Sequence, residues 1–422
     1  MSGAGMRAPH ELSRRQFLAG STAVLGLGVG RLVPFARSAP AATVSVAKCD
    51  TYGAELVSTL DRMFDQLGGL GRLVKGRTVA VKLNLTGPPN IRLGPRPAGL
   101  AHWVHPRMIG AVVHLMDRAG ARRVRLLESG YASPIPLGEY MYKAGWDPEE
   151  IVRAGQRVEL ENTNGLGSGK DYHRFDVPGG GLLFPSYLLN QSYLDCDTFV
   201  SLSKLKDHTT AGVTLTMKNC FGNIPTTIYG DYCPKDRPDD RPRSGRNAVF
   251  HSGTRQPSSP AAPEVDPASP RHGGYRIPRV VVDICAARPI DLGIVDGIDS
   301  MGGAEGPWGG GEPCHPGVLV AGTNCVSTDA VATAVMGFDP KALSGSVPFE
   351  DCDNFLELAE RVGLGSRDLG RIEVAGTPIR DARFDFAPLL RSRLPAGHAS
   401  PPGSRGPEPV TSRSPTRKER ER

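Results

Sequence analysis

Three lysines and a histidine crowd one short span of this chain. Lys204, Lys206 and His208 follow the apolar run Phe199, Val200 and Leu202, and Lys218 and Asn219 come ten residues later, just before Phe221 and Gly222. In an open α/β sheet, ligands bind outside the carboxyl ends of strands. A cationic cluster placed there suits an anion, a carboxylate or a phosphate. Crowding and desolvation also push a lysine toward its neutral form, and a neutral amine or imidazole is a base. Lys204, Lys206, His208 and Lys218 are therefore the candidate catalytic groups: one takes a proton while the others stabilise a developing oxyanion. The spacing leaves open proton abstraction beside a carboxylate and hydrolysis or transfer at an anionic substrate.

A second set of polar residues sits where apolar ones are expected. Lys82 and Asn84 interrupt the run TVAVKLNL at 78–85. Two apart on a strand, they share a face, and a lysine on an inner face is costly unless paired. They either line a pocket, with Asn219 and Gly222 as further substrate-binding residues, or face solvent at an edge strand. Glu128 ends the next apolar run, Asp296 follows Leu292–Val295, and Glu305 lies in the glycine-rich stretch DGIDSMGGAEGPWGGG at 296–311. These three carboxylates, with His208, form a possible divalent-cation site. The glycine-rich stretch reads as a flexible loop or as backbone that approaches a ligand closely. It is not a dinucleotide fingerprint, and neither a phosphate-binding P-loop nor a G-x-S-x-G elbow occurs.

Positioning these residues requires a sheet. Short apolar runs at 44–47, 78–85, 124–127, 158–160, 195–202, 291–295, 317–321 and 371–374 read as strands. They alternate with amphipathic segments at 55–67, 105–119, 141–152, 278–287, 328–336 and 355–362. That alternation predicts an α/β fold, a largely parallel sheet with flanking helices and right-handed crossovers. Asp329 near a helix start has a capping role as its plain alternative.

The ends of the chain and one internal stretch differ in composition. Residues 1–41 carry a net +4 and residues 391–422 a net +5, so the middle of a chain with overall charge +6 is mildly acidic at −3. A nucleic-acid-binding protein needs a basic stripe on folded elements, and none is evident. Ser13-Arg14-Arg15-Gln16-Phe17-Leu18, the small apolar run at 19–29 and Ala39-Pro40-Ala41 read as a twin-arginine signal with a cleavage site over 1–41. The translocase is then a partner, and the destination is periplasmic or extracellular, with a signal-anchored form as the rival. No second apolar stretch of spanning length occurs. The α/β domain spans 42–390. Its 230–274 stretch is rich in proline and reads as a long disordered surface insertion, either a flap near the site or an inert loop, and 391–422 as a disordered basic tail. Eight cysteines include no C-x-x-C, which disfavours iron–sulfur or structural zinc ligation.

Taken together, Lys82-x-Asn84, Lys204-x-Lys206-x-His208, Lys218-Asn219-x-x-Gly222, Asp296-Gly297…Gly306-Pro307 and Thr328-Asp329-Ala330-Val331-Ala332 resemble domain-of-unknown-function family 362 over about residues 44–374. The resemblance implies no settled activity. Some members of that family carry a ferredoxin-like iron–sulfur extension, which this chain lacks. Three readings follow: an exported enzyme acting on a small anionic substrate, a non-catalytic ligand- or metal-binding accessory protein, or a redox partner.

Overall fold

The computed structural model describes residues 39–165 and 171–392. The twin-arginine residues and the part of the basic tail beyond Ser392 lie outside the described residues. Eight strands make the main sheet: β1 (Val44–Lys48), β2 (Thr78–Lys82), β3 (Arg123–Glu128), β4 (Val158–Asn162), β5 (Thr198–Lys204), β6 (Leu292–Gly297), β7 (Val318–Gly322) and β8 (Val374–Gly376). Their spatial order is β8-β1-β7-β6-β5-β2-β3-β4. All neighbours run parallel except β7, which is antiparallel to both β1 and β6. The largely parallel α/β architecture expected from the sequence is thus present.

Both faces of this sheet are covered, and for that reason its strands read as nearly unbroken apolar runs. Val79, Val81, Val200, Leu202 and Ile294 point into one core layer. There they meet α1 (Glu55–Gln66) and α2 (Pro106–Arg118) through residues such as Leu56, Leu60, Met63, Met108 and Val112. Ala80, Phe199 and Val295 alternate to the other layer. That layer is closed by α3 (Leu215–Asn219), α4 (Gly273–Ala287), α5 (Cys325–Val335) and α6 (Phe355–Arg361). The start of α2 follows from its sequence: Pro106 occupies the first turn, and the His105 ring accepts from the Arg107 N–H at 3.1 Å.

The chain leaves β2 for β3 and β4 on one side, then returns to place β5 against the other side of β2. This reversal is a topological switch point, and it opens a crevice at the carboxyl ends of β2 and β5. Lys82 ends the first of these strands and Lys204 the second.

Several sequence expectations need correction. The 230–274 stretch is not a disordered insertion. Val249 and Phe250 are fully buried, and the Ser258 and Val265 N–H groups bond Ile228 and Leu183 carbonyls at 3.0 Å. Buried Glu264 pairs with Arg276 at 2.8 Å and with Arg271 at 2.7 Å. A proline-rich segment cannot build a core of its own, but here it needs only a few anchors on a core already formed. The helix expected over 278–287 starts five residues earlier and contains Pro278. A helical proline leaves the carbonyl four residues back without its donor. That carbonyl belongs to Gly274, and the Asp353 N–H takes it at 2.9 Å. The glycine-rich stretch at 296–311 is partly ordered, with Ser300–Gly302 pairing antiparallel with Glu312–Cys314. The run at 78–85 stays in the sheet only through Lys82, so Asn84 lies beyond the strand. A hairpin of Tyr172–Asp176 with Ser186–Asn190 has no counterpart in the sequence reading. Cys285 and Cys325 are free thiols buried in the core, as their apolar surroundings imply. Among the described residues, no helix is long and apolar enough to cross a membrane.

Candidate functional site

A cavity of about 730 Å³ opens at the switch point. Lys82, Asn84, Glu128, His208, Lys218, Asn219, Gly222 and Glu305, all candidates from the sequence, line it. Lys204, Lys206 and Asp296 do not.

Strand parity explains the division. Lys82 lies opposite Ser201 in the β2–β5 register. The Asn219 amide donates to Ser201 Oγ at 3.0 Å, and Lys82 Nζ donates to Asn219 Oδ1 at 3.3 Å. Lys82, Ser201 and α3 therefore share one side of the sheet. Lys204 is odd-stepped from Ser201, so its side chain follows Leu202 into the opposite layer. There it pairs with Asp296 at 3.0 Å, its neighbour in the β5–β6 register, and donates to Tyr52 Oη and the Gly99 carbonyl, each at 3.1 Å. Asp296 also accepts from Tyr52 Oη at 2.8 Å and from the His105 N–H at 3.0 Å. Both charges are fully buried and fully coordinated. This pair ties β5 and β6 to the segments that lead into α1 and α2; it offers nothing to a ligand.

Lys206 is likewise enclosed, donating to the carbonyls of His102 at 2.8 Å and Glu305 at 2.7 Å and to Thr86 Oγ1 at 3.4 Å. Desolvation pushes its ammonium down to about 7. Its bonds hold the Glu305 backbone, and hence the cavity wall, against the loop after β2.

Lys82 and Glu128 form the cavity floor, paired at 2.7 Å. The second carboxylate oxygen of Glu128 accepts from the Leu85 N–H at 2.9 Å. Gly222 lies directly on this pair: a Cβ there would stand 2.7 Å from Lys82 Nζ and 3.0 Å from Glu128 Oε1. Gly222→Val is therefore expected to cost about 1–3 kcal/mol by overpacking, read as a lower urea midpoint. An unchanged midpoint would mean that the pair moves aside freely.

Lys218 is different. It is carried by α3, and that short helix is aimed by a buried carboxylate. Asp329 of α5 accepts from the Thr216 N–H at 2.9 Å and the Met217 N–H at 2.8 Å. Asp329 thus caps a neighbouring element, not its own helix. Leu215, the first residue of α3, has φ of 45°, a left-handed conformation rare for a branched side chain. Lys218 Nζ has no hydrogen-bond or ion-pair partner among the described residues; it lies 4.7 Å from the centre of the Phe221 ring. Desolvation first, then the charges of Arg246 and Lys82, push its ammonium down to about 7 against the pull of Glu305.

The remaining walls come from residues the sequence reading missed. Arg246 and His251 belong to the 230–274 stretch, where proline content hid them; the adjacent apolar pair Val249-Phe250 was the available sign of packing. The Arg246 guanidinium sits 4.8 Å from the Phe221 ring centre, donates to the Phe221 and Ile224 carbonyls, and has no carboxylate partner among the described residues. Burial lowers it to about 10. His251 is pushed down to about 4 by desolvation and by Lys218, so it is neutral at pH 7. Tyr131 Oη and Thr214 Oγ1 are buried without a hydrogen-bond partner among the described residues. Trp308 donates from Nε1 to Glu305 Oε1 at 3.0 Å, and Thr209 Oγ1 donates to Glu305 Oε2 at 2.9 Å.

The expected divalent-cation set is not assembled. Glu128 holds Lys82, Asp296 holds Lys204 in the other layer, and Glu305 accepts from Thr209 and Trp308. Among the described residues, no group of three or more His, Cys, Asp or Glu side chains is arranged to hold a metal ion.

Comparison with known proteins gives three results. A thylakoid-associated protein of Synechocystis sp. is 24% identical over 303 residues, which is 71% of this chain and 76% of that protein. The lactate racemase apoprotein of Thermoanaerobacterium thermosaccharolyticum aligns over 63% of this chain and 51% of its own, at 10% identity and a TM-score of 0.30. This chain thus spans about half of that racemase. The model of the family described as "Domain of unknown function (DUF362)" matches residues 79–334, from β2 through the cavity walls to α5, and the chain belongs to that family.

Proposed function

We propose that this protein is an enzyme acting on a small carboxylate, with Arg246 receiving the carboxylate and Lys218 serving as general base. One observation carries the reading. Lys82 and Lys204 are each neutralised by a carboxylate, whereas Lys218 and Arg246 face the cavity with no such partner among the described residues. A ligand anion supplies the missing charge, and desolvation in the cavity strengthens the attraction.

The chemistry follows from the lysine. Near pH 7 about half of an amine with a pKa of about 7 is neutral and able to accept a proton. In a proton abstraction beside the carboxylate, the C–H bond breaks, its proton passes to Lys218 Nζ, and the electron pair moves onto the carboxylate as an enediolate. Arg246 and the Lys82–Glu128 floor stand where they can stabilise that added charge. His251, neutral at this pH, adds no competing positive charge.

The test is proton NMR in D₂O of small hydroxy and amino acids incubated with the protein. The expected result is solvent deuterium at the carbon beside the carboxylate, lost in Lys218→Met. Binding without exchange would favour the accessory-protein reading. Exchange that survives Lys218→Met would remove the base assignment.

Export through the twin-arginine translocase to the periplasm belongs to the same proposal and rests on the Arg14-Arg15 motif. Replacing both arginines by lysine is expected to retain the protein in the cytoplasm; undiminished periplasmic recovery would count against the signal.

A further inference from the structure

We infer that the carboxylate bound here is an arylacetic-type acid: a planar ring that lies along Trp308, joined to the anionic group through the C–H carbon that Lys218 faces. The inference rests on the carboxylate reading above and narrows it.

Size is the first argument. The cavity of about 730 Å³ falls within the roughly 300–1,000 Å³ typical of sites for drug-sized ligands. A two- or three-carbon acid would leave most of that space without contacts, whereas an aryl-substituted acid reaches across it.

The second argument is a rigid aromatic wall. Trp308 lines the cavity, and its six-membered ring is pressed against backbone at two glycines. A Cβ on Gly87 would lie 2.4 Å from Trp308 Cζ3, and one on Gly306 would lie 2.2 Å from Cη2. Gly87 has φ of 79°, a conformation that glycine tolerates and that here lets the chain pass the ring. The indole N–H is tied to Glu305. Two glycines and a hydrogen bond thus hold the ring in one place, which spares a stacked ligand the entropy of ordering it. Phe221 is less suited to stacking because Lys218 and Arg246 already lie over its ring.

Polar placement agrees. The two unpartnered cations lie within about 10 Å of each other, roughly one Debye length at 0.1 M salt, so they define one anionic end. Tyr131 Oη and Thr214 Oγ1, buried and unpartnered among the described residues, line the same cavity. They offer hydrogen bonds to a ring hydroxyl or similar substituent, which apolar walls could not.

Isothermal titration of the full chain with phenylacetate, 4-hydroxyphenylacetate, acetate and succinate at pH 7 tests this. The two aromatic acids are expected to bind at least tenfold more tightly than either aliphatic acid. Trp308→Leu should reduce that preference to within about twofold, with circular dichroism and thermal unfolding verifying its fold. Lys218→Met should weaken both classes together. If the aliphatic acids bind the native protein as tightly as the aromatic ones, and that binding still depends on Lys218, the aromatic assignment is overturned while the carboxylate site stands. If no acid of either class binds, both are overturned. The comparison on the native protein alone decides the case should Trp308→Leu fail to fold.

Discussion

Lys204→Met should destabilise the protein by about 3–5 kcal/mol, the usual cost of removing one partner from a buried ion pair. The replacement leaves the Asp296 carboxylate in a fully buried position, still facing Tyr52 Oη and the His105 N–H but with its neutralising charge gone. It also strips an acceptor's donor from the Gly99 carbonyl. Urea unfolding at pH 7 measures the loss through the midpoint at unchanged slope. The double variant Lys204→Met, Asp296→Leu should recover much of it, because an apolar pair of similar volume avoids the desolvation of both charges. A loss under about 1 kcal/mol in the single variant would mean that the pair is open to water, contrary to its burial. The expectation is the reverse of what the sequence suggests, where Lys204 stands at the head of the candidate catalytic groups.

Lys218→Met should behave in the opposite way: stability kept, function lost. The folded value of Lys218 is lowered to about 7, whereas an unperturbed lysine titrates near 10.4. Between those values the unfolded chain binds the additional proton, so the native protein gains stability as pH rises from about 7 to about 10.4. Below about 7 the full cost of the desolvated ammonium is present. Methionine removes that cost, so the variant is expected to be at least as stable as the native protein at pH 6, with its advantage shrinking toward pH 10. Lys206 titrates in the same window, but it is common to both proteins and cancels in the difference.

Reactivity gives the larger signal. At pH 7 the neutral fraction of an amine with a pKa of about 7 exceeds that of an ordinary lysine by about 10³-fold. A limiting dose of a water-soluble acylating reagent, followed by peptide mass spectrometry, should therefore label Lys218 well ahead of the exposed lysines Lys75 and Lys143. Labelling should weaken when a bound carboxylate occupies the cavity and blocks access to the amine. Equal labelling of all three lysines would show that Lys218 is not tuned by its surroundings.

The α/β class, most strand positions and the cluster of polar residues at the strand ends were legible in the chain itself. Strands such as β2 and β5 are buried on both faces and must be apolar along their length, so the lysines at their ends stand out. Helices such as α1 and α2 show their spacing because only one side of each is buried. The start of α4 was not legible, because Pro278 marks a break unless something else satisfies Gly274, and Asp353 is 79 positions away from it in the chain. For the same reason the 230–274 stretch looked empty: its order depends on Glu264 meeting Arg276 on a core made elsewhere.

Residue types and spacing alone determined that cations and carboxylates gather at the carboxyl ends of a parallel sheet and that the family is the one the motifs resemble. Which lysine faces a ligand was decided only by tertiary structure. Lys82 and Lys204 end strands that touch, yet an odd offset of three residues in register sends them to opposite layers. Lys218 keeps an unpaired charge because Asp329, from a distant helix, turns α3 toward the cavity. Burial, pairing and direction depend on neighbours that are remote in the chain, and a linear pattern carries no record of which remote groups will meet.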